Sequence, residues 1–281
     1  MTVDRRSVLR SSARLAALTA AGGLAAACGG PSDGDGAKSA SVAARPQPAH
    51  LAETASPTAS PSPGVSASPS PTAFALPPLA ADTPQEVVTG PRSRSQLALT
   101  FHGQGDPAIA TALLTAAEQR GARLTVLVVG SWLDEQPQIA QRILAGGHEL
   151  GNHTQNHLDI SSMRPQQAHE EIAQCAERLQ RLTGSIGRWF RPSATQYANA
   201  MVKEQARQVG YQHVLSFDVD PRDYADPGAD TVTHRVLKTA EAGSVVALHM
   251  GHPGTATALP AILDGLSAKG LHAVTASELC A

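Results

Sequence analysis

Glu149-Leu-Gly-Asn-His153-Thr-Gln-Asn-His157 sets two histidines four residues apart just after a short apolar strand. A helical turn brings residues i and i+4 onto one face, so both imidazoles can reach a single divalent metal ion. The same stretch reads as a strand handing over to a loop, and six other segments read alike. The candidate strands are Leu97 to Phe101, Leu124 to Val129, His148 to Gly151, Arg188 to Arg191, Val214 to Phe217, Val245 to His249 and His272 to Val274. Several are continuously apolar, as parallel strands covered on both faces are.

Amphipathic helical patterns with readable ends lie between them. The first has Asp106 as N-cap, Pro107 at the first helical position, Ile109, Leu113 and Ala117 on its apolar stripe, and Gly121 as its stop. The last has Pro260 near its start, Ile262, Leu263 and Leu266 inside, and Gly270 after its end. Cys175 falls on the stripe Ile172, Cys175, Leu179, Leu182, which predicts a buried thiol. Seven strands alternating with six or more helices predict a βα barrel or an open doubly wound sheet. In both, the site belongs at the carboxyl ends of the strands. His102, His153, Arg191, Asp220 and His249 each fall at or just past the end of a different candidate strand.

The ends of the chain have other compositions. Asp4-Arg5-Arg6-Ser7-Val8-Leu9-Arg10 precedes an Ala-rich apolar run from Leu15 to Ala27 and then Cys28. Residues 1–28 read as a twin-arginine signal peptide, its apolar run too short for a mature transmembrane helix. Ala25-Ala26-Ala27 before Cys28 is similar to a bacterial lipobox, which implies a lipidated Cys28 anchored to the outer face of the cytoplasmic membrane and facing the cell wall. Residues 29–84 are rich in Pro, Ser, Ala and Gly, with repeats such as Ser60-Pro61-Ser62-Pro63. Such a stretch buries too little apolar surface to offset its ordering entropy and reads as an extended tether, ~3.1 Å per residue and on the order of 150 Å in reach. Residues 85–281 have the size of one domain with its own core. Lys plus Arg number 22 and Asp plus Glu 24, with the basic residues scattered, so the charge pattern points to no nucleic acid.

Set in chain order, the motifs resemble those of the polysaccharide deacetylase family, the NodB-like carbohydrate esterases. His153-Thr-Gln-Asn-His157 is similar to the family's His-Ser/Thr-x-x-His. The family's TFDDGP stands here as Thr100-Phe101-His102-Gly103-Gln104-Gly105-Asp106-Pro107, with His102 where the base would be and Gly103 where the metal carboxylate would be. The Arg-Pro-Pro-Tyr motif appears as Arg191-Pro192-Ser193-Ala194, without its aromatic, whose place Tyr197 can take. Asp220-Pro221-Arg222-Asp223-Tyr224 resembles Asp-x-x-Asp-Trp, and Ala247-Leu248-His249 resembles Leu-x-His.

The resemblance implies an incomplete (β/α) barrel of about seven βα units, and metal-assisted removal of N-acetyl groups from amino sugars of a cell-wall or extracellular polysaccharide. It implies a divalent metal, Zn²⁺ foremost, on His153 and His157, with Asp106 or His102 completing the set. Asp106 reads equally as a helix cap. His102 is the expected base, His249 the acid oriented by Asp220, Arg191 the group holding a carboxylate or developing oxyanion, and Tyr224 a flat surface for the sugar. His252 reads as a loop residue. The loss of the paired carboxylates leaves two alternatives open: a family member that binds glycan without turnover, or a hydrolase of the same fold acting on a non-sugar amide.

Overall fold

The computed structural model describes residues 76–281. The expected signal peptide, Cys28 and the tether up to residue 75 lie outside the described residues. Eight strands form one sheet: β1 Glu86–Val87, β2 Gln96–Gly103, β3 Thr125–Val128, β4 Glu149–Asn152, β5 Trp189–Phe190, β6 His213–Leu215, β7 Val245–His249 and β8 His272–Val274. They run in the order β1-β6-β5-β4-β3-β2-β7, with β8 also on β2, and every ladder is parallel. Past β6, Val219 makes a parallel bridge to Val246 of β7. That bridge closes the ring where a full ladder is lacking, which makes the sheet an incomplete barrel. All seven candidate strands are present. β1 has no counterpart among them, because two residues carry no periodicity.

The helices are α1 Pro107–Glu118, α2 Gly130–Glu135, α3 Gln138–Ala145, α4 Pro165–Thr183, α5 Ala200–Val209, α6 Ala229–Thr239, α7 Pro253–Ala268 and α8 Ala276–Leu279. α1 begins as its sequence dictates, with the Asp106 carboxylate accepting from Ala108 N at 2.8 Å and Pro107 in the first turn. α7 begins earlier than expected, at Pro253. Pro260 therefore sits inside the helix, where it removes one backbone donor.

Strand residues of alternating direction feed three buried clusters, the third joining Phe190 and Val214 to residues of α4 and α5. Leu97, Leu99 and Phe101 of β2 pack outward against α1 and α7, whereas Ala98 joins Leu127, Trp189, Leu215, Val245 and Ala247 in a second cluster. Cys175 is fully buried on α4, and burial pushes its thiol up to about 12; Cys175 and Cys280 are both free. Residues 76–84, expected as the end of the tether, lie on the domain: Ala80 N donates to Cys280 O at 2.9 Å, Leu79 packs on the second cluster, and Pro84 O meets His213 Nδ1 at 2.8 Å.

Candidate active site

Register places the first two site residues. In the ladder between β2 and β7, His102 is the direct partner of His249, so both side chains leave the barrel at one level. His102 Nδ1 lies 2.7 Å from His249 Nε2, and the rings meet edge to face with centroids 4.4 Å apart. His249 Nδ1 lies 2.7 Å from Asp223 Oδ1, while Asp223 Oδ2 accepts from His249 N at 2.8 Å and Thr255 Oγ1 at 2.7 Å. Asp223, 1% exposed, is fixed on three sides.

These contacts determine the protons. An ionised Asp223 can only accept, so neutral His249 carries its proton on Nδ1 and presents Nε2 as an acceptor. His102 must then donate from Nδ1, which leaves a lone pair on its Nε2. Just past β4, His153 Nδ1 meets the carbonyl of Arg191 at 3.0 Å, so its lone pair is also on Nε2. Both Nε2 atoms are buried and have no hydrogen-bond partner among the described residues. The His102 and His153 rings stack at 4.2 Å, and His157 stands edge-on to His153 at 4.8 Å. Burial foremost, and then neighbouring His153, Arg191, His249 and His157, pull His102 well below the ordinary imidazole range. Burial and His157 do the same to His153, and burial and His249 lower His157. Burial thus favours the neutral form of His102, His153 and His157.

The loop after β4 needs unusual backbone to present its pair. Thr154 (φ 69°) and His157 (φ 56°) are left-handed, and the His157 N–H donates to Thr154 Oγ1 at 3.2 Å. Thr154 Oγ1 in turn bonds Ser193 Oγ at 3.2 Å, tying the histidine loop to the segment after β5. The chain also comes very close to itself beside β7. A Cβ on Gly105 would lie 2.4 Å from Gly251 Cα, so only glycine fits there.

A cleft of about 640 Å³ opens above these residues, lined among others by His102, His157, Phe217, Asp220, Tyr224, His249 and His252. Tyr224 is 49% exposed and stands edge-on to His249 at 5.3 Å. Tyr197 is exposed but is not among the lining residues.

Three expectations are corrected. The carboxylate on His249 is Asp223, not Asp220. Asp220 is exposed and accepts from Arg222 N at 2.8 Å in an Asx turn, whereas both carboxylate oxygens of Asp223 meet His249. Arg191 does not hold substrate, because its guanidinium is fully buried, bonding Leu215 O, Ser216 O and Thr100 Oγ1 and lying 5.3 Å from the centre of the Phe217 ring. Burial lowers its pKa to about 9, and its carbonyl is what steadies His153. Asp106 does not join the histidine pair: it is exposed, caps α1 and does not line the cleft.

Those corrections bear on metal binding. His153 has the form of a metal ligand, with Nδ1 on a carbonyl and Nε2 free. Yet among the described residues no group of three or more His, Cys, Asp or Glu side chains is placed to hold a metal ion. Position 103 offers no remedy, since a Cβ there would lie 2.9 Å from both Val126 Cγ1 and Val128 Cγ1 and 3.2 Å from Trp132 Cζ3, facing the core. His153 and His157 supply two ligands where a hydrolytic zinc site takes three from the protein, so the side chains present do not fit that ion's full set.

The polysaccharide deacetylase profile matches residues 89–214. Over 193 residues the chain is 34% identical to a peptidoglycan-N-acetylglucosamine deacetylase of Bacillus cereus, covering 67% of this chain and 90% of that protein. It is 30% identical over 175 residues to a chitooligosaccharide deacetylase of a Bradyrhizobium species, covering 59% of this chain and 74% of the other. Among solved structures, the Bc1960 peptidoglycan N-acetylglucosamine deacetylase in complex with 4-naphthalen-1-yl-N-oxidanyl-benzamide is similar at a TM-score of 0.65 and 27% identity, over 69% of this chain and 92% of that one.

Proposed function

The chain belongs to the polysaccharide deacetylase family, and on that premise we propose that it hydrolyses N-acetyl groups on amino sugars of a cell-wall or extracellular polysaccharide. Hydrolysis of a non-peptide carbon–nitrogen bond is the family's chemistry. The observation that carries the reading is the hydrogen-bonded chain Asp223–His249–His102 at the floor of the cleft.

Amide hydrolysis needs one proton taken from water and one given to the leaving nitrogen. In this reading His102 Nε2, buried and without a partner among the described residues, takes the first. Its Nδ1 proton then passes to His249 Nε2, and Asp223 stabilises the imidazolium. His249 delivers that proton to the nitrogen as the carbon–nitrogen bond breaks, and acetate and a free amine leave. Tyr224 offers the sugar a flat apolar face at the cleft rim.

Deacetylases of this family are metal-dependent. The Zn²⁺ expected from the sequence would rest here on His153 and His157, one protein ligand short. That shortfall favours a second reading, glycan binding without turnover. Lipidation of Cys28 and twin-arginine export would hold the domain at the outer face of the cytoplasmic membrane, within reach of wall polymer through residues 29–75.

Incubation of the full chain with N-acetylated amino-sugar oligomers and with peptidoglycan, followed by assay of acetate and free amine, tests the proposal. Equal amounts of both products are expected. Binding without either product would establish the second reading.

A further inference from the structure

A second carboxylate–histidine pair stands beside the first. His252 Nδ1 lies 2.8 Å from Asp226 Oδ1, and the His252 and His249 rings are 5.9 Å apart at 82°. Both pairs repeat one spacing, Asp223 and Asp226 in the segment after β6 and His249 and His252 at and just past the end of β7, each three residues apart. They differ in solvation. Asp223 is sealed off, whereas Asp226 is exposed and half-buried His252 lines the cleft.

The outer pair is held in place. Asp226 has φ 49°, a left-handed conformation that non-glycine residues seldom adopt, and its N–H donates to Asp223 O at 2.9 Å. The carbonyl of His252 accepts from Thr255 N at 3.0 Å in the first turn of α7, which fixes the root of the ring. The contact to Asp226 places the proton of neutral His252 on Nδ1 and leaves Nε2 as an acceptor. An acceptor in the same cleft as His249 and the aromatic face of Tyr224 suits a hydroxyl of a ring stacked on that face.

We infer that His252, held in one tautomer by Asp226, is a specificity-determining residue: its Nε2 accepts a hydrogen bond from a hydroxyl of the bound amino sugar and so sets the acetamido group against His249. The inference rests on the reading of the cleft as an amino-sugar site. Two like pairs then divide the work, the covered one moving protons and the open one recognising substrate.

The experiment compares the wild type, His252→Ala, His252→Gln and Asp226→Asn in the full chain, using an N-acetylated amino-sugar oligomer and its monodeoxy analogues. Affinity is read as KM for acetate release, or as Kd by calorimetry if the wild type binds without releasing acetate. His252→Ala is expected to weaken affinity ~10-fold, the size of one net hydrogen bond. Asp226→Asn is expected to weaken it about threefold, and His252→Gln, which keeps an acceptor, to recover part of the loss. One monodeoxy analogue should bind the wild type ~10-fold more weakly than the parent and bind His252→Ala with no further loss. A His252→Ala protein that keeps wild-type affinity, or that still discriminates against that analogue, overturns the inference. Binding without acetate release removes the turnover reading and leaves the His252 comparison standing. A wild type that binds no amino-sugar oligomer overturns both.

Discussion

At the amino ends of the strands, buried Glu149 accepts from Thr125 Oγ1 at 3.0 Å and Ser277 N at 3.1 Å and bonds Ser277 Oγ, while Trp189 Nε1 donates to the same hydroxyl at 3.2 Å. At the carboxyl ends, His102 Nε2, His153 Nε2 and Arg191 Nη1 are buried and find no partner among the described residues. The backbone shows the same polarity: all five non-glycine residues of positive φ among those described, Thr154, His157, Ala194, Arg222 and Asp226, lie in loops past the carboxyl ends of β4, β5 and β6. Each such residue costs on the order of 1–3 kcal/mol. One end of the barrel uses its buried polar groups to hold α8 and the strands together. The other leaves the imidazole Nε2 atoms of His102 and His153 without a partner among the described residues.

The largest expected effect breaks the upper end alone. Asp223→Asn should lower acetate release ~10³-fold, within the usual range for a general acid–base unit, and adding His249→Ala should cost little more, because the two act as one. Asp220→Asn should change the rate by less than about threefold. Rate assays on the four proteins decide between the two carboxylates, and a larger loss from Asp220→Asn would restore the assignment that the sequence motif invites.

Gly103→Asp tests whether the family's missing carboxylate can be put back. The added side chain would press on Val126, Val128 and Trp132, so thermal or denaturant unfolding should show a loss of about 1–3 kcal/mol from overpacking. Metal content after dialysis should not rise above wild type. A stable Gly103→Asp protein with a full equivalent of metal would mean that the loop can turn this position toward His153 and His157.

Glu149 sharpens the lower end. Burial raises its carboxyl above the ordinary value, against the hydrogen bonds from Ser277 and Thr125. An acid with a raised folded-state pKa contributes stability that is full below its unfolded pKa, near 4.5, and is lost as pH rises through the folded pKa. Wild-type stability measured against Glu149→Gln should therefore decline as pH rises from there, with acetate release unaffected by the substitution at any one pH. A pH-independent difference would show that the cluster is insensitive to this charge.

The smallest effect is at Asp106. Replacement by Ala should cost about 1 kcal/mol through loss of the α1 cap and leave metal content unchanged, whereas loss of metal would make Asp106 the third ligand.

Much of this was legible in the chain itself. Continuously apolar runs such as Val245 to Leu248 marked the parallel strands, and position at a strand end marked His102, His153 and His249 as neighbours. What escaped depended on side-chain direction. Asp220 and Asp223 both sit in the motif, and only the 3₁₀ turn at Asp223–Ala225 decides which one faces His249. The Asx bond from Asp220 to Arg222 N is the local signal that could have excluded it. Arg191 stood at the right strand end, but its guanidinium runs beneath the site across Leu215 and Ser216. The His252–Asp226 pair had a signal too, since a second Asp and a second His each follow the first by three residues.

Under the proposed function, the Asp223–His249–His102 chain drives release of acetate from an amino sugar. This is tested most directly by a time course of acetate and free amine from an N-acetylated amino-sugar oligomer, with full-length wild type and His249→Ala side by side. Equal amounts of both products are expected from the wild type, and a rate from His249→Ala lower by ~10³-fold. No acetate from the wild type, or similar rates from the two proteins, would contradict it.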